Sequence, residues 1–451
     1  MTEPDASTGP GATRGPDAET AAPTMSAQRI AVASFIGTAI EFYDFYIYGT
    51  AAALVFGTLF FPDLDPLVGT LAAFATFGVG FVARPVGAVA FGHFGDRVGR
   101  KATLVVSLLT MGVGTVAIGL LPTYSTIGIA APVLLVLCRF LQGFGLGGEW
   151  GGAVLMATEH APEGRRGLYS SFPQVGPAVG FIIASGAFLA LSAALTDAQF
   201  AAWGWRVPFL ASAVLVVVGL YIRLRIAETP VFEKAMREQE REKAPVAEVV
   251  RRQPRSLLLA TGGMIITHTI FYTVTTFSLS YGTSELGLSR TTLLVAAMVA
   301  AAVMGVATPV LAVLSDRVGR RRVCLWACIL AVLWAFPLFW LLGTGDGVLI
   351  AVGFSVAMIA FAGVFAPMGA FLPELFATRY RYTGASIGYN ASSIVGGGIT
   401  PLLATSLVAA TGASWPVSLL IAGLAAVSGL CVWGLHETRT ADLTDAGAFT
   451  R

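Results

Sequence analysis

Asp96-Arg97-Val98-Gly99-Arg100-Lys101 closes one apolar stretch of the chain, and Asp316-Arg317-Val318-Gly319-Arg320-Arg321 closes another 220 residues later. A run repeated at matched places in two halves is the mark of a duplicated unit. The flanking sequence says which kind of unit. A helix of roughly 20 mostly apolar residues spans a bilayer. Stretches of that length lie at 29–58, 66–92, 102–121, 128–158, 166–194, 203–226, 256–282, 290–315, 322–343, 346–376, 382–411 and 414–436. The two loop copies follow the second and the eighth of these, so each half holds six. The expected fold class is an all-α polytopic membrane protein with twelve transmembrane helices in two six-helix halves.

Composition supports a bilayer as the solvent. Hydrophobic residues make up 55% of the chain and charged ones 12%, against about 25% charged in soluble domains. Too few charges remain to cover two or three soluble domains. The net charge of +2 offers no broad basic field for nucleic acid, so none is expected as a partner. Cys138, Cys324, Cys328 and Cys431 all fall in or at the edge of apolar segments, without zinc-ligand spacing. They read as core or lipid-facing residues.

Charge placement sets the orientation. The loops after helices 2, 4, 6, 8 and 10, with their flanking helix ends, hold 20 Lys and Arg, whereas the odd loops hold only Arg206 and Arg290. That bias places both termini in the cytoplasm. The domain reading is a disordered cytoplasmic tail over 1–28 without a cleavable leader, a first half over 29–226, a linker over 227–255, a second half over 256–436 and a short tail over 437–451. The linker's mixed-charge run, from Glu233 to Lys243, reads as a solvated helix at the membrane surface.

In the repeated loop, glycines let helices approach, the aspartate can cap a helix or pair with arginine, and the arginines can meet anionic headgroups. Gly92, Asp96, Arg97, Gly99 and Arg100 in the first copy, and Asp316, Arg317, Gly319 and Arg320 in the second, are the expected conformational residues. Ala312 stands where the first copy has Gly92. Glu159 with Arg165-Arg166-Gly167 is echoed by Glu374 with Arg379 through Gly384, which adds Glu374 to that set.

Gly92…Asp96-Arg97…Gly99-Arg100-Lys101 resembles the loop signature of the major facilitator superfamily, over about residues 29–436. Within it, Glu41-Phe42-Tyr43-Asp44-Phe45, Arg84-Pro85, Gln142-Gly143-Phe144, Gly147 through Gly152, Trp203 through Phe209 and Leu372-Pro373-Glu374-Leu375-Phe376 resemble the metabolite:proton symporter branch. Shikimate-type and other inner-membrane metabolite transporters are the nearest in look. The resemblance implies proton symport, alternating access and a central site between the halves. The proton is the coupling ion and no cofactor is expected. Osmosensing proline/betaine members of the branch carry a long C-terminal coiled coil; the tail here is short. Gly176-Pro177-Ala178-Val179-Gly180 matches part of the superfamily's antiporter signature, but Phe172 and Phe181 stand where that signature has glycine.

Charges at membrane depth are costly and tend to be functional. Glu41 and Asp44 lie on helix 1, Arg84 on helix 2, and Arg139 and Glu149 on helix 4. Glu41, Asp44, Phe45 and Tyr48 share one helical face by spacing. Counting about 1.5 Å per residue, Asp44 and Arg139 sit at similar depth, and so do Arg84 and Glu149 nearer the inner face. If the helices are neighbours, as the family fold implies, two ion pairs are expected. Asp44 is the favoured proton carrier, with Glu41 and Glu149 as rivals; static ion pairs are the alternative. Arg84 joins the conformational set. Arg139 is the candidate carboxylate ligand, Tyr48 and Phe45 are further candidates for substrate contact, and helix 7 offers Tyr272 and His268, the latter as a ligand contact or a second proton site. Gly363, Pro367 and Gly369 suit helix 10 to bending.

The expected function is proton-coupled uptake of a small carboxylate metabolite by a carrier that acts as a monomer in the cell membrane. Alternatives are uptake of a proline- or betaine-like zwitterion and drug/proton antiport. No Walker loop, metal cluster or long polar loop supports an enzyme.

Overall fold

The computed structural model describes residues 27–98, 100–147, 149–159, 161–162, 164–225, 245–377 and 381–439. The linker's charged run and Gly99 lie outside the described residues, as do the side chains of Gly92, Asp96, Arg97 and Arg100.

The long helices are α1 (27–60), α2 (Pro66–Val98), α3 (Arg100–Leu120), α4 (Ala130–Leu146, then Glu149–Glu159), α5 (Arg166–Ala194), α6 (Arg206–Arg225), α7 (Pro254–Ser284), α8 (Arg290–Val318), α9 (Arg320–Gly343), α10 (Gly347–Glu374), α11 (Arg381–Thr411) and α12 (Trp415–Trp433). They follow the stretches read from the sequence. Among the described residues, nine helices are long and apolar enough to cross a membrane. The bent pair Asp197–Gly204 and Arg206–Tyr221 makes a tenth, and Val105–Leu120 is a shorter apolar helix. The outer surface is apolar. Leu120, Val214, Leu333, Trp340 and Trp433 are 65% to 77% exposed, an arrangement that lipid accepts and water does not.

The repeated loop is shorter than its sequence suggests. Helix α8 runs through Asp316-Arg317-Val318, stops at Gly319 with φ 111°, and α9 starts at Arg320. That φ favours glycine, and a Cβ there would also lie 2.5 Å from Glu437 Oε2. The Glu437 carboxylate accepts hydrogen bonds from the Arg320 and Arg321 amides at 3.0 and 3.1 Å, so it caps α9.

The duplication extends to backbone irregularities. A π-helical segment interrupts α1 at Ala52–Phe56, and another interrupts α7 at Thr273–Phe277, 221 positions later. Such segments often mark functional positions. By contrast, α10 runs unbroken from Gly347 to Glu374 despite Pro367 and Pro373.

Within the first half, glycines bring α2 and α4 into backbone contact. A Cβ on Gly87 would lie 1.9 Å from Phe144 O, and one on Gly147 would lie 2.0 Å from Arg84 O. This approach, open only to small residues, sets the arginines of the two helices beside the same aromatic ring.

Candidate substrate and proton sites

The centre of the molecule is aromatic. Phe45 packs its ring against Phe77, Phe81, Tyr46 and Tyr272 at centroid distances of 4.9 to 6.4 Å. Two guanidiniums lie over that one ring: Arg84 Cζ is 4.0 Å from its centroid and Arg139 Cζ is 3.9 Å. The two cations are therefore no more than about 8 Å apart. Arg84 also lies over Phe81, and Arg139 over Tyr48 and Phe77. Both side chains are buried, and in each the Nε and Nη2 atoms make no hydrogen bond. Those two nitrogens form the edge that grips a carboxylate bidentately. No carboxylate pairs with either arginine among the described residues.

Both ion pairs expected from the sequence are thus corrected. Arg139 donates through Nη1 to Gln142 Oε1, not to Asp44. Asp44 is fully buried, but it points to α3 and α6: Oδ1 accepts from the Ser212 hydroxyl, the Thr115 hydroxyl lies beside the carboxyl, and Oδ2 has no partner. The reason is helical geometry. Asp44 and Phe45 are adjacent and so diverge by roughly 100° around a helix, which leaves Asp44 on one border of the polar face and Phe45 on the other. Arg84 is not the partner of Glu149 either. Its long side chain carries the guanidinium to Phe45 and Tyr272, so the depth of its Cα misplaces its charge. Glu149 is buried at the start of the second segment of α4, and Glu41 is buried on α1 within electrostatic range of Tyr389.

Helices α7 and α11 complete the centre. Phe42, Tyr46, Thr267, His268, Tyr272 and Tyr389 line a cavity together with Pro177, Phe271, Phe361 and Phe365. It is no larger than one water needs. His268 Nδ1 lies 3.4 Å from Met264 O, Thr267 Oγ1 and Ser392 Oγ, and its ring is 5.0 Å from Tyr389. Tyr48 faces α2 instead and donates to Thr76 at 2.6 Å. The structure therefore gathers Phe45, Arg84, Arg139, His268 and Tyr272 at the centre and holds Asp44 behind it.

Contacts between the halves lie on both sides of this cavity. Toward one end, a Cβ on Gly49 would meet Thr276 Oγ1 at 3.2 Å, and one on Gly78 would meet Gly398 O at 3.4 Å. Toward the end that carries the repeated loops, Trp150 stacks on Tyr389 at 3.9 Å and 7°, and Asn390 Nδ2 donates to Gly147 O at 3.2 Å. Gln174 Nε2 of α5 donates to Phe365 O of α10 at 2.5 Å, and a Cβ on Gly369 would reach that same nitrogen. The spacing of Trp150 and Tyr389 in sequence gave no signal of their contact. We predict that Trp150→Ala frees this end. A lost stack is worth about 1 kcal/mol, so thiol labelling of a cysteine placed at Ser386 should speed up about fivefold; an unchanged rate would exclude the stack as a closing contact.

At the repeated loop of the second half, Asp316 serves both of its expected purposes at once. It accepts from Arg320 Nη1 at 2.5 Å, and it caps α5 of the other half by accepting from the Gly167 and Leu168 amides at 2.9 and 3.0 Å. Arg320 also pairs with Glu374 at 3.4 Å, and Glu374 accepts from the Thr438 hydroxyl at 2.6 Å. Arg317 is exposed, and its carbonyl accepts from Arg439. Only a glycine at 167 permits this latch: a Cβ there would lie 2.7 Å from Arg320 Nη1 and 2.9 Å from Asp316 Oδ1. Gly167→Ala is expected to unlatch the halves, at a cost of about 1–3 kcal/mol. Faster deuterium exchange at residues 166–172 would show it, and wild-type protection there would refute it.

Two pseudo-symmetric halves, an apolar outer belt and a polar-aromatic centre between the halves define a membrane carrier. The chain belongs to the Major Facilitator Superfamily, whose profile matches residues 34–395. An inner membrane metabolite transport protein of Escherichia coli is 50% identical over 422 residues, covering 92% of this chain and 96% of that protein. The shikimate transporter of Escherichia coli is 43% identical, covering 86% and 90%, and its proline/betaine transporter is 37% identical, covering 83% and 77%. Among solved structures, a D-xylose-proton symporter superposes with a TM-score of 0.70 at 18% identity, covering 93% of this chain and 100% of that one; at that identity the likeness shows the fold. The protein is a multi-pass membrane transporter, not an enzyme.

Proposed function

We propose that this carrier takes up a small carboxylate metabolite together with a proton, with both termini in the cytoplasm. The observation that carries the substrate class is the pair of buried guanidiniums, neither of which has a carboxylate partner among the described residues. At an effective dielectric of about 20, two charges no more than about 8 Å apart repel by at least about 2 kcal/mol, and an anion about 4 Å from either would gain about 4 kcal/mol from it. The site is built for a negative group that arrives with the substrate. A quaternary ammonium fits it poorly: the aromatic faces of Phe45, Tyr48, Phe77 and Phe81 already carry cations, and a third positive charge would be repelled. Tyr272 and His268 contact the body of the substrate from α7. Asp44 carries the proton, because a buried carboxyl without a cation is costly when charged. The latch at Asp316, Arg320 and Glu374 exchanges with contacts at the other end as the halves rock.

Uptake into proteoliposomes under an inward proton gradient tests this reading, with labelled shikimate, 2-oxoglutarate, citrate, proline and glycine betaine. Accumulation of one of the acids is the expected result. Accumulation of betaine or proline alone would replace the carboxylate reading with the zwitterion one. Dye efflux with no uptake of any of the five would point to antiport.

A further inference from the structure

Asp44 and Arg139 do not touch, yet one side chain reaches toward both. Gln142 lies one turn beyond Arg139 on α4. Its Oε1 accepts from Arg139 Nη1, and its Nε2 donates to the Asp44 main-chain carbonyl at 2.7 Å and to the Thr115 hydroxyl at 2.8 Å. Thr115 lies beside the Asp44 carboxyl but gives its proton to Met111 O, and Asp44 Oδ2 is left without a partner. All four residues are fully buried. We propose that Gln142 is the coupling residue of this transporter, a positioning residue that transmits the protonation state of Asp44 to the arginine–phenylalanine centre through Thr115. This rests on the reading of Asp44 as the proton carrier.

The chemistry of the chain makes it a switch. Arginine only donates, so it fixes the orientation of the Gln142 amide, with Oε1 toward Arg139 and both Nε2 protons toward α1 and α3. Thr115 has one proton. It now gives that proton to Met111 O at 3.0 Å and accepts from Gln142. A protonated Asp44 can donate to the second lone pair of Thr115, which leaves this pattern intact. An ionised Asp44 can only accept, so the Thr115 hydroxyl must turn toward it and release Met111 O. Ser212 already donates to Oδ1 and cannot serve Oδ2 as well. The turned hydroxyl changes what Gln142 Nε2 meets, and the fixed amide passes the change to Arg139. Arg139 lies over Phe45, and Phe45 touches Arg84 and Tyr272. The other charged group acting on Asp44 is Glu149 of α4; Tyr43 is its neighbour on α1 and donates to Pro208 O at 2.8 Å. Among the described residues no lysine or arginine pairs with Asp44. With no direct cation, the amide chain is the route left for coupling.

A double-mutant cycle tests this without any substrate. Deuterium exchange of the full chain in lipid nanodiscs is followed at residues 149–155 and 386–393, where α4 meets α11. Asp44→Asn stands in for the protonated carboxyl. It is expected to change exchange there about threefold or more in the otherwise unaltered protein, and less than about 1.5-fold when Gln142→Leu is present. Thr115→Val breaks the same chain one link earlier with nearly the same side-chain shape. It should abolish the effect equally, and it reads the link if Gln142→Leu does not fold. A merely structural role for Gln142 would move both exchange profiles and leave the effect of Asp44→Asn undiminished; that result overturns the proposal. So does the absence of any Asp44→Asn effect in the unaltered protein. Failure of every carboxylate in the uptake panel would overturn the substrate reading and leave the outcome of this cycle untouched.

Discussion

Arg84→Leu is expected to weaken carboxylate binding about 100-fold and, at the same time, to leave the protein as stable as before or more so. Truncating one partner of a buried charge pair costs about 2–5 kcal/mol in binding, and about 3 kcal/mol is about 100-fold. The substrate-free protein stands differently. Its two guanidiniums share the ring of Phe45, and among the described residues no carboxylate pairs with either, so removing one relieves a repulsion of at least about 2 kcal/mol. Leucine retains apolar bulk against Phe45 and Phe81. Function and stability should therefore move in opposite directions, as they do where a site is strained for its task. Arg84→Lys should recover part of the affinity, because a point charge remains while the bidentate edge is lost. Thermal unfolding in detergent and binding by scintillation proximity check the two halves of the prediction. A loss of both affinity and stability would mean that Arg84 holds the fold together and does not read the substrate.

The fold was legible because its determinants are long and local. Twelve apolar runs, the bias of Lys and Arg to alternate loops, and a five-residue run repeated 220 positions apart each constrain the chain before any tertiary contact is known. Arg139, Phe45, His268 and Tyr272 were also within reach, since charged and aromatic groups inside apolar helices stand out. Arg84 was found but misplaced. Counting residues along a helix locates Cα, whereas a side chain as long as arginine puts its charge a turn or more away. Asp44 was assigned to the wrong neighbours because a face defined by spacing is broad, and residues on its two borders meet different helices. Thr115 and Ser212 carried no signal, and Gln142 stood out only within a run that resembles the symporter branch, which gave it no role. Neutral side chains cost less at membrane depth than charges do, so their role appears only once α1, α3, α4 and α6 are packed. The Trp150–Tyr389 stack joins residues 239 positions apart across the two halves, a pairing no local pattern encodes.

Asp44→Asn should separate the two activities of a coupled carrier. With one proton per substrate, a gradient of one pH unit supplies about 1.4 kcal/mol, enough for about tenfold accumulation. The substitution keeps the side chain's shape and its bond from Ser212 but can neither load nor release a proton. Accumulation should fall to the outside concentration, while exchange of labelled for unlabelled substrate, which needs no net proton movement, persists. The sign follows from the packing. Among the described residues no cation pairs with the carboxyl, so the protonated form avoids an uncompensated buried charge at this position, and asparagine holds that form permanently. Accumulation that survives in Asp44→Asn would move the proton to Glu41 or Glu149, both buried near the same helices. Loss of exchange along with accumulation would say that Asp44 holds α1 against α3 and α6. Survival of exchange alone is the one outcome that assigns the proton to this carboxyl, since a packing defect would slow both modes and a site defect would raise the substrate concentration needed for both.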